Sequence, residues 1–262
     1  PTDLITSYYD YMPGSYNGIP VQVQPAVSQT YGYDAGGVYM IYHVKQTTTS
    51  NRREYYSYVA ADGTVNPAAP IGTADIWEGY GGIDIDPVTA DPFTAWHQQS
   101  GDYFDAIASY DIFHMLGGPG LWKEPIKVID NPINVDDEFI WPYVNIGPSP
   151  LGEDYRRVFV SGNNAADNTP SGNPSENMYF GYADFMYSDL EAQSDLEWTY
   201  FSIPLMDEWH TSTTWTRPFD GVCTSDDGKI AIMGYTVSDD PQYDNKMFVF
   251  LNDHYGEGDF TY

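Results

Sequence analysis

The sequence predicts an all-β fold, a β-propeller of four-stranded antiparallel blades with about four blade units in the chain. Three observations lead there. One strand-by-strand signature recurs along the chain. Aromatic residues make up 16% of it, with 24 Tyr and 7 Trp, and such side chains suit the pleated, half-buried surface of strands. No stretch carries a convincing amphipathic helix; Asp184 to Leu196 holds Met186, Leu190 and Leu196 but reads as a loop.

The repeat opens with a short first strand in each unit: Gly18 to Val23, Gly82 to Pro87, Pro142 to Gly147 and Pro218 to Cys223. Measured from their leading residues, the units are spaced by 64, 60 and 76 residues, as expected where insertions fall in loops. More apolar second strands follow at Val38 to Val44, Pro92 to His97, Arg157 to Ser161 and Lys229 to Tyr235. Asp86 to Pro92 and Ser225 to Gly228 supply turn residues between first and second strands. Third strands are predicted at Glu54 to Val59, Phe104 to Ile112, Asn177 to Asp184 and Lys246 to Leu251. A fourth strand led by tryptophan follows Trp122 and Trp198, and a weaker one spans Val65 to Ile71. Gly117-Gly118-Pro119-Gly120 is a loop.

The units run roughly 16–75, 80–132, 138–206 and 215–262. A sandwich would also show many short strands, but its strands need not resemble one another. After Leu251 the chain is loop-like, with no clear fourth strand. Residues 1–15 offer a closing strand: Leu4 to Tyr9 could complete the last unit and close a small ring. Alternatively the chain is part of a larger propeller of about six to eight blades, the reading favoured by the length of its units.

Tyr8-Tyr9-Asp10-Tyr11, Gly82-Ile83-Asp84-Ile85-Asp86-Pro87-Val88-Thr89, Ala95-Trp96-His97 and Leu251 to Phe260 carry a resemblance. In these stretches the chain resembles secreted β-propeller proteins of Bacteroidota and related bacteria, which often bear a C-terminal sorting domain. The likeness spans nearly the whole chain, but its motifs are structural turns. It implies a secreted or cell-surface location and carries no activity. Ala90 departs from the pattern, standing where such turns usually have Gly, and no sorting domain is recognised.

Thirty-eight acidic residues face 10 basic ones, a net charge of −28. Such a surface repels phosphate backbones and anionic membranes, so nucleic acid is excluded as a partner. No apolar run approaches the ~20 residues of a membrane span. The acidic runs Asp136-Asp137-Glu138 and Asp239-Asp240 read as solvated loops. Cys223 stands alone, so no internal disulfide framework exists.

Candidate chemistry is sparse. His43 and His97 hold equivalent places late in neighbouring second strands, where repeated residues can converge. Two histidines are too few for a closed metal site without carboxylate help. Asp84, Asp86 and Asp91 could gather oxygen ligands around Ca²⁺, but Asp before Pro is also an ordinary turn builder. Trp77, Trp141 and Trp209, in loops or at strand starts, offer stacking surfaces for a ligand such as a sugar, or else fill the packing between blades.

Nucleophilic hydrolase signatures are absent: there is no Gly-x-Ser-x-Gly elbow and no phosphate-cradling loop. A glycoside hydrolase needs two carboxyl groups about 5 to 9.5 Å apart, and acidic pairs are too common here to single one out. A sialidase-like site would gather several of Arg52, Arg53, Arg156, Arg157 and Arg217, and adjacent strand residues point to opposite faces. The sequence therefore leads to a non-catalytic extracellular module for binding or assembly, without cofactor. Its expected partner is a protein, further blades or a glycan. A propeller-fold glycoside hydrolase or sialidase-like enzyme is the alternative.

Overall fold

A computed structural model of the chain describes residues 3–9, 18–129, 139–164, 177–211 and 213–262. Four antiparallel sheets follow one another in sequence, each a meander, and together they form the blades of a β-propeller. Sheet 1 holds β1 (Val21–Val23), β2 (Val38–Val44), β3 (Arg53–Val59) and β4 (Val65–Pro70). In sheet 2 lie β5 (Glu78–Ile85), β6 (Pro92–Ser100), β7 (Tyr103–Tyr110) and β8 (Ile126–Lys127). Sheet 3 is made of β9 (Phe139–Pro148), β10 (Arg156–Asn164), β11 (Asn177–Phe185) and β12 (Thr199–Ser202). Sheet 4 has β13 (Thr216–Thr224), β14 (Ile230–Ser238) and β15 (Met247–Asn252).

The predicted second and third strands are all present, with ends that move by at most three residues: β6, β10 and β14 run on to Ser100, Asn164 and Ser238, while β7 stops at Tyr110. Two short helices interrupt the strands, α1 (Phe113–Leu116) and α2 (Tyr187–Glu191), together with a 3₁₀ turn at Pro204–Trp209. The helix α2 corrects the loop expected there; Asp189 caps its first turn by accepting the Met186 amide.

Alternating side chains of each sheet bury against the next, as a period of two requires. Tyr39, Ile41, Tyr56 and Tyr58 of sheet 1 pack on Ile83, Ile85, Trp96 and Ile107 of sheet 2. Phe93, Ala95, Ala106 and Ala108 then meet Val144, Ile146, Val158 and Val160 of sheet 3. Phe159, Met178 and Phe180 meet Ile230, Ile232, Phe248 and Phe250 of sheet 4. Among the described residues no buried apolar cluster joins sheet 4 to sheet 1. Met233, Tyr235, Met247, Val249 and Leu251 of sheet 4 remain exposed, as do Val21 and Val23 of sheet 1.

Leu4 and Ile5 pack on Tyr42, Val44 and Tyr55 of sheet 1, and the Tyr8 amide bonds the Lys45 carbonyl. The closing strand expected from Leu4 to Tyr9 therefore does not form; this segment belongs to the first blade. The rest of residues 1–15, from Asp10 onward, lies outside the described residues, as does Asp136-Asp137-Glu138. At the other end the tail turns back, and Leu251 and Thr261 exchange both backbone hydrogen bonds, at 2.8 and 2.7 Å. A single bridge thus stands at the outer edge of sheet 4, where the sequence shows no fourth strand.

The first strands come together at the centre. The Ile83 amide donates to the Ile19 carbonyl, and a Cβ placed on Gly82 would sit 2.8 Å from the Gly18 Cα. Two backbones meet here with no room for a side chain. Gly82→Ala is expected to push sheets 1 and 2 apart and to cost about 1–3 kcal/mol, read from urea unfolding midpoints. Gly63→Ala, where a Cβ meets nothing but the backbone has φ +87°, separates backbone strain from crowding.

Candidate functional site

The blades have two ends. At one, second strands finish and third strands begin; at the other, first strands turn into second ones. His43, late in β2, and His97, late in β6, lie at the first of these ends. There the inner strands are kinked. Tyr80 and Gly81 together oppose a single residue of β6, and Trp141 and Pro142 together oppose one of β10. Tyr80 has φ +56° and Trp141 φ +53°, unusual values for residues that carry side chains. Such β-bulges re-aim side chains and gather beside functional sites. Here they turn Tyr80 and Trp141 toward the mouth of the propeller.

Arg52 occupies the middle of that mouth. It is only 4% exposed, and its N–H groups are engaged, the Tyr80 side chain among their partners. Nε donates to the Glu78 carbonyl at 2.7 Å, Nη1 to the Tyr9 hydroxyl at 3.0 Å, and Nη2 to His97 Nε2 at 3.3 Å. The guanidinium carbon lies 4.6 Å from the ring of Trp77, 4.8 Å from that of Tyr80 and 4.9 Å from that of Tyr9. Cation–π attraction of this kind strengthens as water is removed. The Tyr9 and Tyr80 hydroxyls bond one another at 3.2 Å.

His97 is pushed well below the usual histidine range by its burial, and the charge of Arg52 and the nearby His43 act the same way. It is therefore neutral. A neutral imidazole has one lone-pair nitrogen, and two donors face it, Arg52 Nη2 at Nε2 and the Trp141 amide at Nδ1, 3.4 Å away, so the tautomer decides which of them is bonded.

Two carboxyl groups lie beneath. Glu54 is fully buried, its carboxyl 3.4 Å from His43 Nε2, and His43 also accepts the Tyr80 amide. Burial pushes the Glu54 carboxyl up to about 8, the charge of Glu78 adds to this, and Arg52 opposes it. Glu54 is thus protonated at neutral pH. Glu78 is also raised by burial, but it accepts the Glu54 amide at 2.9 Å and faces Arg53 at 3.6 Å.

The local sequence Glu78-Gly79-Tyr80-Gly81-Gly82 makes this packing fit. A Cβ on Gly79 would overlap the Arg52 guanidinium, and one on Gly81 would sit 2.5 Å from Glu54 Oε1. Each glycine clears space for a different partner.

The structure thus brings His43, His97, Trp77 and Trp141 together, and adds Arg52, Tyr9, Tyr80, Glu54 and Glu78 to them. Trp77 is 38% exposed and packs edge-on against Phe104 at 4.5 Å. Trp209 stands elsewhere. It is buried in the core between sheets 3 and 4, stacked near Phe250, and the expectation of a ligand-stacking role for it is corrected. The arginines do not converge as a group of three either. Arg217 reaches the mouth, 5.4 Å from the Trp141 ring, whereas Arg156 and Arg157 lie at the opposite end.

At that opposite end the three aspartates go separate ways. Asp84 accepts the Ile146 amide at 2.7 Å, Asp86 pairs with Arg156 at 3.0 Å, and Asp91 with His114 at 3.2 Å. They tie turns and neighbouring sheets together and do not share one ion, which corrects the calcium reading. Among the described residues no group of three His, Cys, Asp or Glu side chains is placed to hold a metal. The turn that contains them has Ala90 at φ +70° and fully buried, a left-handed backbone that residues with a side chain seldom adopt.

No family model and no curated protein matches the chain. Solved structures that resemble it include two enzymes. One is an α-L-arabinanase of Penicillium chrysogenum complexed with arabinobiose, at 12% identity and a TM-score of 0.48, covering 92% of this chain and 62% of that one. The other is Zg3597, a family 117 glycoside hydrolase produced by the marine bacterium Zobellia galactanivorans, at 10% identity and a TM-score of 0.44, covering 94% and 68%. The chain thus spans less than two thirds of the arabinanase. Both are named as enzymes, an arabinanase and a glycoside hydrolase, whereas the sequence led to a non-catalytic binding or assembly module with a glycoside hydrolase as the alternative.

Proposed function

We propose that the chain forms the sugar-binding mouth of a propeller-fold glycoside hydrolase. One observation carries this reading: a protonated, buried carboxyl, Glu54, lies beneath exposed aromatic rings with a second carboxyl, Glu78, beside it. Cleavage of a glycosidic bond needs an acid that keeps its proton at the working pH and a second carboxylate of different character. Rings such as Trp77, Trp141 and Tyr80 offer flat apolar faces with low entropic cost on binding, as sugar rings require.

In this reading the sugar stacks at the mouth while Arg52 and the Tyr9–Tyr80 pair fix its orientation. Glu54 holds the proton and packs directly against the Gly81 backbone of the kinked strand. Incubation with aryl glycosides and with arabinan should release aryl alcohol or reducing sugar. Glu54→Gln should lower the rate at least 100-fold while leaving glycoside binding within a few-fold. A folded protein that releases nothing from any member of the panel would overturn the reading. Unchanged turnover in Glu54→Gln would remove Glu54 from the chemistry.

A further inference from the structure

His43 and His97 stand at matching places in consecutive blades, and neither takes part in bond cleavage as proposed. Both face the following sheet, and both meet its inner strand at the kink. Nε2 of His43 accepts the Tyr80 amide, and Nδ1 of His97 stands 3.4 Å from the Trp141 amide. Tyr80 and Trp141 are left-handed, at φ +56° and +53°. A residue with a side chain keeps such a backbone only where its surroundings hold it. The seam between sheets 3 and 4 supplies the contrast. His97 and Asn163 each form the first pair past the kink of their own sheet, with Gly79 and Ile140. Asn163 therefore takes the place in β10 that His97 takes in β6. It meets Pro218 of β13, a residue with no N–H, and donates to its carbonyl through Nδ2 at 2.7 Å. β13 pairs with β14 in unbroken register and has no left-handed residue. A histidine thus faces each inner strand that kinks, and an amide donor faces the one that does not.

We propose that the two histidines are positioning residues. Each holds, through an imidazole lone pair, the amide of the kinked residue on the next blade, and so fixes the angle at which Tyr80 and Trp141 present their rings to a ligand. Their part in recognition rests on the reading of the mouth as a sugar site. At His97 the Arg52 guanidinium, 3.3 Å from Nε2, competes for the lone pair, so the hold on Trp141 is the weaker of the two. Because Glu54 lies 3.4 Å from His43 Nε2, the decisive readout is the backbone and not the rate of cleavage.

Amide hydrogen exchange of the full chain, read by mass spectrometry over residues 78–82 and 140–143 with β14 as internal reference, tests this. His43→Ala should speed exchange over 78–82 at least tenfold and leave 140–143 within about twofold; His97→Ala should do the reverse, by about threefold. His43→Gln, whose side-chain carbonyl can reach the place of Nε2, should restore slow exchange over 78–82. Asn163→Ala should leave both segments as they are. Should His43→Ala fail to fold, His43→Asn, which carries the same amide on a shorter stem, should open 78–82 with β14 unchanged. Equal opening of both segments in either histidine variant, no opening in any, or fast exchange over 78–82 in His43→Gln would overturn the proposal. Binding of the glycoside panel, followed by tryptophan fluorescence, separates the two readings. A parent that binds no glycoside while exchange follows the crossed pattern removes the sugar site and keeps the hold on the kinks. A His43→Ala protein that opens 78–82 and binds glycoside as tightly as the parent would end the positioning role.

Discussion

Replacing Trp96 by alanine is expected to lower the stability of the fold by about 3–5 kcal/mol. Among the described residues Trp96 is the bulkiest that is fully buried, and it lies within the seam between sheets 1 and 2. Its neighbours there are Tyr39, Tyr56, Ile83 and Ile107, all rigid within paired strands. The cavity left by an indole cannot close without moving two sheets at once, so the loss includes both transfer and void terms. Trp96→Phe should cost clearly less, because most of the apolar volume is retained. Urea midpoints with an unchanged m value check both. A Trp96→Ala protein within about 1 kcal/mol of the parent would show that the seam between the sheets contributes little.

The second large effect concerns pH. Asp220, on the inner strand of sheet 4, is buried with its Oδ2 lacking a hydrogen-bond partner, and burial pushes its carboxyl up to about 7. Asp111 is raised by burial to about 7, Asp84 to about 6 and Glu54 to about 8. In each case the folded state holds the proton more tightly than the unfolded chain does. Below the unfolded value near 4 both states are protonated and nothing is lost. As pH rises from about 4 toward 8, the unfolded chain ionises first, and the fold loses stability. The urea midpoint should therefore fall across this window. Asp220→Asn, which keeps the shape and cannot ionise, should remove part of that slope. It should match the parent near pH 4.5 and exceed it at pH 8 by an amount on the order of a few kcal/mol. Parallel pH curves for the two proteins would show that Asp220 is not held protonated.

The strands were legible in the sequence because each obeys a local rule. Val38–Val44 forms over its predicted span, where apolar residues end at turn-forming neighbours, and the turn from Asp86 to Asp91 forms at its Pro and Asp residues. Half of the mouth was legible too. His43 and His97 stand at matching places in consecutive repeats, and repetition brings such places to one end. Tyr9 was not, because it lies before the first unit, and Arg52 stood only as one of five candidate arginines, with nothing to place it beside the histidines. Only the assembled blades bring them together. The run Gly79-Tyr80-Gly81-Gly82 held a usable sign, since three glycines around one tyrosine in a strand indicate backbone crowded by other groups. Trp209 misled for a simpler reason. A tryptophan in a 3₁₀ turn has no period of two to show which way it points, and this one points inward.

The kinks at Tyr80 and Trp141 have a consequence for how such a molecule can change. Each inserts an extra residue into its strand without altering which side chains beyond it face inward. The seams between sheets and the rim thus obey separate constraints, one fixed by interlocking volume and the other by what is to be captured. Exchanges at the rim can retune recognition while the underlying chassis keeps its stability, so one architecture can be redressed for many guests.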